Sequence, residues 1–130
     1  MKTKPYIIAE TSFNHEGDAE YLHRMIDEIA KTGVNAIKFH QLIDLESYMS
    51  QNHLLYDKLE KWLFTKRQWK NIIRHAYDEK LNIIMLCDDT SSIKSSCRNK
   101  KIDMIEIHSA CLIDTNMLKA AAKFSGTIIL

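Results

Sequence analysis

Apolar residues fall into two rhythms along this chain. Short runs at Tyr6-Ile7-Ile8-Ala9, Ala36-Ile37-Lys38-Phe39-His40, Asn82 to Cys87, Met104 to Ser109 and Gly126 to Leu130 read as strands. Most are nearly continuous in apolar residues, as in a parallel sheet covered on both faces. Between them apolar positions recur at threes and fours. Leu22, Met25, Ile26 and Ile29 make one helical face, and Trp69, Ile72, Ile73, Ala76 and Tyr77 make another. Punctuation agrees with this division. Asp18 is placed to cap the first helix, and Gly33 to stop it where a left-handed residue costs least. Thr65-Lys66-Arg67-Gln68 has the spacing of a capping box. Asp88-Asp89-Thr90 precedes a weak helix to about Cys97, and Asp114 precedes one from Thr115 to Phe124. Residues 41 to 64 are less regular and predict a long excursion with local helix around Leu54 to Leu63. Strand-helix alternation predicts an α/β fold of parallel (β/α) units, with successive strands side by side or doubly wound.

Polar residues gather where these strands end. In parallel α/β folds ligands sit outside the carboxyl ends of the strands. Glu10, Lys38 with His40, Asp88 with Asp89, and His108 with Ser109 all lie at or near those ends. Each also has a plainer explanation. Glu10 could pair with a neighbouring lysine. Lys38 lies in a buried strand and needs a carboxylate or a bound anion, because an unpaired buried charge is costly. Asn14 and His15 either frame a site or close the first strand-helix turn. Asp88-Asp89 suits a helix cap better than a metal pair. His40 and His108 could ligate a metal, but two histidines without a third ligand fall short of a site. His23, His53 and His75 are expected on the surface, and Met25, Met85, Met104 and Met117 in the core. The sequence holds no glycine-rich phosphate loop and no arrangement announcing a nucleophilic triad.

Composition narrows the class without changing the picture. The 130 residues make one domain, 1–130, with 45% apolar and 27% charged residues and a net charge of +1. Basic residues are scattered, so no nucleic-acid or polybasic membrane surface is expected, and no apolar run is long enough for a membrane span. Cys87, Cys97 and Cys111 are odd in number and lack metal-type spacing, which points to a reducing, cytoplasmic setting.

Four blocks then carry a resemblance. "IIAETSFNHEGD", "KTGVNAIKFH", "FTKRQWKNIIRHAYDEKLNIIM" and "IDMIEIHSACLIDTNMLKAAAKFSGTIIL" occur in the order of the corresponding blocks of the N-acetylneuraminate (sialic acid) synthase family. The chain resembles about the first half of that family's catalytic domain, a TIM (β/α)8 barrel. The resemblance implies condensation of phosphoenolpyruvate with an N-acylated aminosugar of the N-acetylmannosamine type. The product is a nine-carbon sugar acid, made for carbohydrate or cell-surface polysaccharide biosynthesis. It implies a catalytic role for Glu10 in the substrate and intermediate region. Lys38 would bind the phosphoenolpyruvate anion and Ser109 its phosphate, with Asn14 and His40 as further substrate-binding residues. It also implies a divalent metal, Mn or Mg, whose histidine ligands lie in the second half of the barrel, outside this chain.

The departures are as specific as the matches. Glu106 stands where the resemblance implies a second phosphate-binding lysine, and Lys38 is its expected ion-pair partner. His40 stands where a glutamine is usual. Met85-Leu86-Cys87-Asp88 replaces a Ser-Thr-Pro-Phe block, and Ser109-Ala110 replaces Ser-Gly. A half-barrel leaves open strand edges and an uncovered apolar face, so self-association or a C-terminal half is expected. Two functional readings follow. One is a synthase half-barrel that is inactive in isolation, and the other a non-catalytic scaffold binding sugar or phosphate.

Overall fold

The computed structural model describes residues 4–130. Five strands form one parallel sheet: β1 (Ile8–Ser12), β2 (Ala36–Gln41), β3 (Asn82–Cys87), β4 (Met104–Ile107) and β5 (Thr127–Ile129). Their order across the sheet is their order in sequence. Every crossover therefore returns beside the strand it left, and the doubly wound alternative does not occur. The helices are α1 (Ala19–Lys31), α2 (Leu45–Tyr48), α3 (Tyr56–Trp62), α4 (Lys66–Asp78), α5 (Thr90–Cys97) and α6 (Thr115–Ala121). No helix among the described residues is long and apolar enough to cross a membrane.

The helix ends follow from the residues that cap them. Asp18 accepts from the Tyr21 N–H, and the Thr65–Gln68 capping box is complete. Gly33 takes a positive φ of 76° just beyond α1. The apolar stripes of α1 and α4 then meet one face of the sheet. Leu22, Ile26, Trp69, Ile72, Ile73 and Ala76 pack there with Ile37, Phe39, Ile83, Met85, Cys87, Ile105 and Ile107. Side chains alternate along a strand. The same strands therefore turn Lys38, His40, Ile84, Leu86, Glu106 and the following His108 toward the other face.

Four elements differ from the sequence expectation. β1 continues to Ser12, so Glu10 lies within the strand rather than at its end, and the pairing with β2 shifts register between Glu10 and Ser12. β4 stops at Ile107 because the His108 imidazole accepts from the Ala110 N–H and starts a 3-10 turn over Ser109–Cys111. α6 ends at Ala121, where the Lys123 and Phe124 N–H groups reach back only three residues. The excursion holds two short helices, α2 as well as α3. Leu42, Leu45 and Leu59 bury a second small core with Phe13 and Trp62 beside it. That core clamps the excursion over the carboxyl ends of the first strands.

The β1–α1 turn meets the excursion at close quarters. Gly17 has a φ of 85°, and a Cβ there would come within 2.6 Å of the Lys61 carbonyl oxygen and 3.1 Å of the Trp62 Cα. Gly33 also has a positive φ, but open space surrounds it. Gly33→Ala should therefore cost about 1 kcal/mol, the backbone penalty alone. Gly17→Ala should cost at least about 1 kcal/mol more, because backbone must move as well. Urea unfolding of the two variants measures the difference.

In the same turn His15 is buried, accepts from the Gly17 N–H at 3.0 Å and packs on Phe64. Burial, with a smaller push from His40, lowers its pKa from 6.5 to about 4. The unfolded chain then binds a proton at His15 that the folded chain refuses. Stability should be full above pH 6.5 and fall as pH drops toward 4, by up to about 3 kcal/mol from this residue. His15→Asn, which keeps an acceptor for Gly17, should flatten that fall in denaturant titrations at stepped pH.

Candidate functional site

Two polar clusters occupy the sheet face opposite the main helix core. In the first, Lys38 of β2 bridges two carboxylates. Its Nζ lies 2.8 Å from Glu10 Oε2 on β1 and donates to Glu106 Oε2 on β4 at 3.0 Å. The Lys38 side chain is 15% exposed, Glu106 22% and Glu10 43%. Burial pulls the ammonium's pKa down, but hydrogen bonds and charge from both carboxylates outweigh it, and the net shift is upward. Lys38 is thus a fixed cation already paired twice. Three strands separated by up to 96 residues in sequence are tied together at this one nitrogen.

In the second cluster, His40 and His108 lie on neighbouring parts of the rim with ring centroids 5.4 Å apart. His40 Nε2 comes to 3.1 Å from Oδ1 of Asp88, whose side chain is fully buried. That approach lacks the alignment of a hydrogen bond. Both His40 nitrogens and both Asp88 oxygens are buried with no hydrogen-bond partner among the described residues. Phe13 covers one side of His40 at 4.4 Å, and Tyr48 meets His108 edge-on at 6.5 Å. Bonds to the main chain hold Asp88 and His108: the Asp88 N–H donates to the Gln41 carbonyl, the His108 N–H donates to the Cys87 carbonyl, and the Cys111 thiol donates to the Asp88 carbonyl. A cleft of about 190 Å³ opens beside Asp88, between Tyr48, Cys111, Asp114 and Met117.

The structure thus brings Glu10, Lys38 and His40 to one face, together with Glu106. Asn14 and Ser109 stand apart. Asn14 is exposed in the β1–α1 turn, and Ser109 is exposed in the 3-10 turn. The paired aspartates divide their work. Asp89 caps α5 through Ser92 and also accepts from the Ile43 N–H at 2.8 Å, whereas Asp88 caps nothing. Sequence reasoning treated the two together. Ser92, three residues after Asp89, was the signal that only the second could complete a capping box.

His23 and His75, expected on the surface, are instead half-buried between α1 and α4. Their Nδ1 atoms lie 2.7 Å apart, and His75 Nε2 reaches Asp27 at 2.8 Å. Burial first, and then His75, lower the pKa of His23 against an opposing pull from Asp27. Both His75 nitrogens have partners and Asp27 is exposed, which leaves that cluster a helix-helix contact.

No family model matches this chain, and no curated protein matches it in sequence. Solved structures do match its fold. The N-acetylneuraminic acid (sialic acid) synthetase of Leptospira borgpetersenii, crystallised with citrate, superposes with a TM-score of 0.85 at 24% identity, over 97% of this chain and 44% of that one. A protein assigned to spore coat polysaccharide biosynthesis, protein E of Chromobacterium violaceum, gives 0.80 at 19% identity, over 96% and 40%. A spore coat polysaccharide biosynthesis protein of Bacillus subtilis gives 0.72 at 19%, over 98% and 36%. The chain therefore spans less than half the length of these relatives. Its parallel α/β sheet matches about half of a barrel-like fold, and the likeness to a sialic acid synthetase seen in the sequence blocks is present in the backbone.

Proposed function

We propose that this chain serves carbohydrate biosynthesis as the N-terminal part of a sialic-acid-synthase-like barrel, binding the aminosugar side of the reaction at its strand-end rim. We propose further that Lys38 does not hold phosphoenolpyruvate in the arrangement described. The observation that carries this reading is the double ion pair of Lys38 with Glu10 and Glu106. Support for the wider reading comes from the unbroken strand order, the polar rim and the overlap with the Leptospira synthetase.

In the reaction the resemblance implies, the enol carbon of phosphoenolpyruvate bonds to the aldehyde carbon of the sugar, and phosphate leaves after water adds. A divalent cation, when bound, would polarise that aldehyde as a Lewis acid. Lys38 would be the anchor for the phosphate or carboxylate, a point-charge contact that needs an unshared ammonium. Here an incoming anion must displace a carboxylate and approach the other. At a few ångströms and an effective dielectric near 20, each such repulsion amounts to about 4 kcal/mol before screening. Glu10, the more exposed of the two, is free to swing away, and Glu106 is not. The same observation favours a second reading, in which the rim binds a neutral sugar without catalysing condensation.

Calorimetry separates these readings. Phosphoenolpyruvate should bind the wild-type chain at least about tenfold more weakly than it binds Glu106→Lys, a difference of about 1.4 kcal/mol. Lys38→Ala placed in the Glu106→Lys background should weaken that binding again. Equal affinity in wild type and Glu106→Lys overturns the assignment of a blocked anchor. N-acetylmannosamine should bind the wild type saturably, and failure to do so removes the sugar-binding reading.

A further inference from the structure

We propose that His40, Asp88 and His108 form a binding site for a divalent first-row transition ion of the zinc class. This site is distinct from the one the family resemblance implies, whose ligands lie outside this chain. One ligand atom from each of the three residues falls within 4.8 Å of the others. Two imidazoles and a carboxylate make a donor set suited to zinc and its neighbours, whereas magnesium and calcium prefer oxygen throughout.

The hydrogen-bond pattern supports a cation more strongly than the spacing does. A buried carboxylate without partners costs several kcal/mol, and proteins rarely leave one so. Asp88 is 2% exposed, and neither of its oxygens accepts a hydrogen bond. Both nitrogens of His40 are in the same condition. If the pair existed only for its own sake, the imidazole N–H would point at the carboxylate. Instead His40 Nε2 and Asp88 Oδ1 sit side by side at 3.1 Å, neither aimed at the other. Donor atoms about 3.0 to 3.4 Å apart are what an ion with bonds near 2.1 Å demands. The His108 ligand atom already lies within 4.8 Å of the other two, and rotation of its half-buried side chain brings it closer. Its present partner is weak, the Ala110 N–H at 3.3 Å. Giving it up costs about 1 kcal/mol.

Three further features fit. Glu10 and Glu106 outnumber Lys38 on the same face, so the surrounding charge favours a cation. Main-chain hydrogen bonds at Asp88 and His108 fix the two rim positions that carry ligands. Three protein ligands leave at least one coordination position open, which a small oxygen ligand such as water or a sugar hydroxyl would fill. A rival trio exists at Asp27, His75 and Glu79. There both His75 nitrogens already have partners, and both carboxylates are exposed. The site at the rim stands whether or not the chain handles a sugar.

The test uses the full chain, stripped with chelator and dialysed, with its fold checked by circular dichroism. Zinc titrated by calorimetry should bind with one-to-one stoichiometry, and cobalt(II) should give visible absorption that zinc removes. His40→Gln and Asp88→Asn should each weaken zinc binding at least about tenfold, while His75→Ala leaves it unchanged. Magnesium should compete poorly. The proposal is overturned if the wild type binds no zinc, if His75→Ala alone abolishes binding, or if the His40→Gln/Asp88→Asn double variant, folded by circular dichroism, binds as the wild type does.

Discussion

The alternation of side chains along β2 is the constraint on which the rest depends. Ile37 and Phe39 point into the helix-covered core, so Lys38 and His40 must point the other way. A strand buried by its helices on one face cannot leave an ammonium bare on the other. Lys38 is neutralised by carboxylates from β1, the strand beside it, and from β4, which lies beyond β3. The ion pair thereby fixes the relative height of three strands whose helices could otherwise slide. Its net worth as stability is modest, because partial desolvation offsets much of the attraction. Its effect on specificity is larger, since a one-residue slip of β2 would carry Lys38 into the apolar core.

The same alternation sets the chemical character of the face two residues further on. His40 stands about 7 Å beyond Lys38 along the strand. It is wedged between Phe13 and His108, with Asp88 beside it. Phe13 belongs to the turn after β1, where Gly17 allows the backbone to pass under the excursion and bring Trp62 down. The excursion is therefore a wall of the rim as well as a connection. Its small core of Leu42, Leu45 and Leu59 holds Tyr48 against His108.

Most of the architecture was legible because it rests on local rules. Period-two and period-3.6 patterns, the caps at Asp18, Thr65 and Asp114, and the stop at Gly33 each need only neighbouring residues. α5 was legible as a weak helix after Asp88-Asp89-Thr90 to about Cys97, and the Asp89–Ser92 capping box that starts it explains why it forms despite a weak apolar stripe. The Lys38–Glu106 pair was also legible, since a charge in a buried strand demands an opposite one and the two residues stood in matching strands. What local patterns did not carry was how each cluster is completed, although Glu10 and Asp88 were both read as rim residues and Glu10 as a possible partner of a lysine. Glu10 joins Lys38 only because β1 runs on past it to Ser12. Asp88 meets His40 only because the chain turns inward between β3 and α5. Both depend on the height of one strand relative to another, a tertiary quantity that no local pattern carries. His23 and His75 were missed for the same reason, as their pairing requires α1 and α4 to lie side by side.

The two clusters differ in how they meet the cost of burial, and that difference carries the functional argument. Around Lys38 the charges are mutually satisfied, and the face is closed to an anion unless a carboxylate leaves. Around Asp88 they are not: both of its oxygens and both His40 nitrogens are buried without a hydrogen-bond partner among the described residues. Among the described residues, three carboxylates, Glu10, Glu106 and Asp88, stand against the ammonium of Lys38 on this face. Glu106, His40 and Asp88 are also among the positions at which the sequence departs from the pattern of the synthase family it resembles. Each change taken alone reads as a defect in a phosphate pocket. Taken together on one face, Glu106 and Asp88 add carboxylates, which disfavour an anion and favour a cation, and His40 adds a metal-type donor. In the proposed reading, a cation held at the edge of this rim takes over from a free lysine the task of organising a ligand's oxygens.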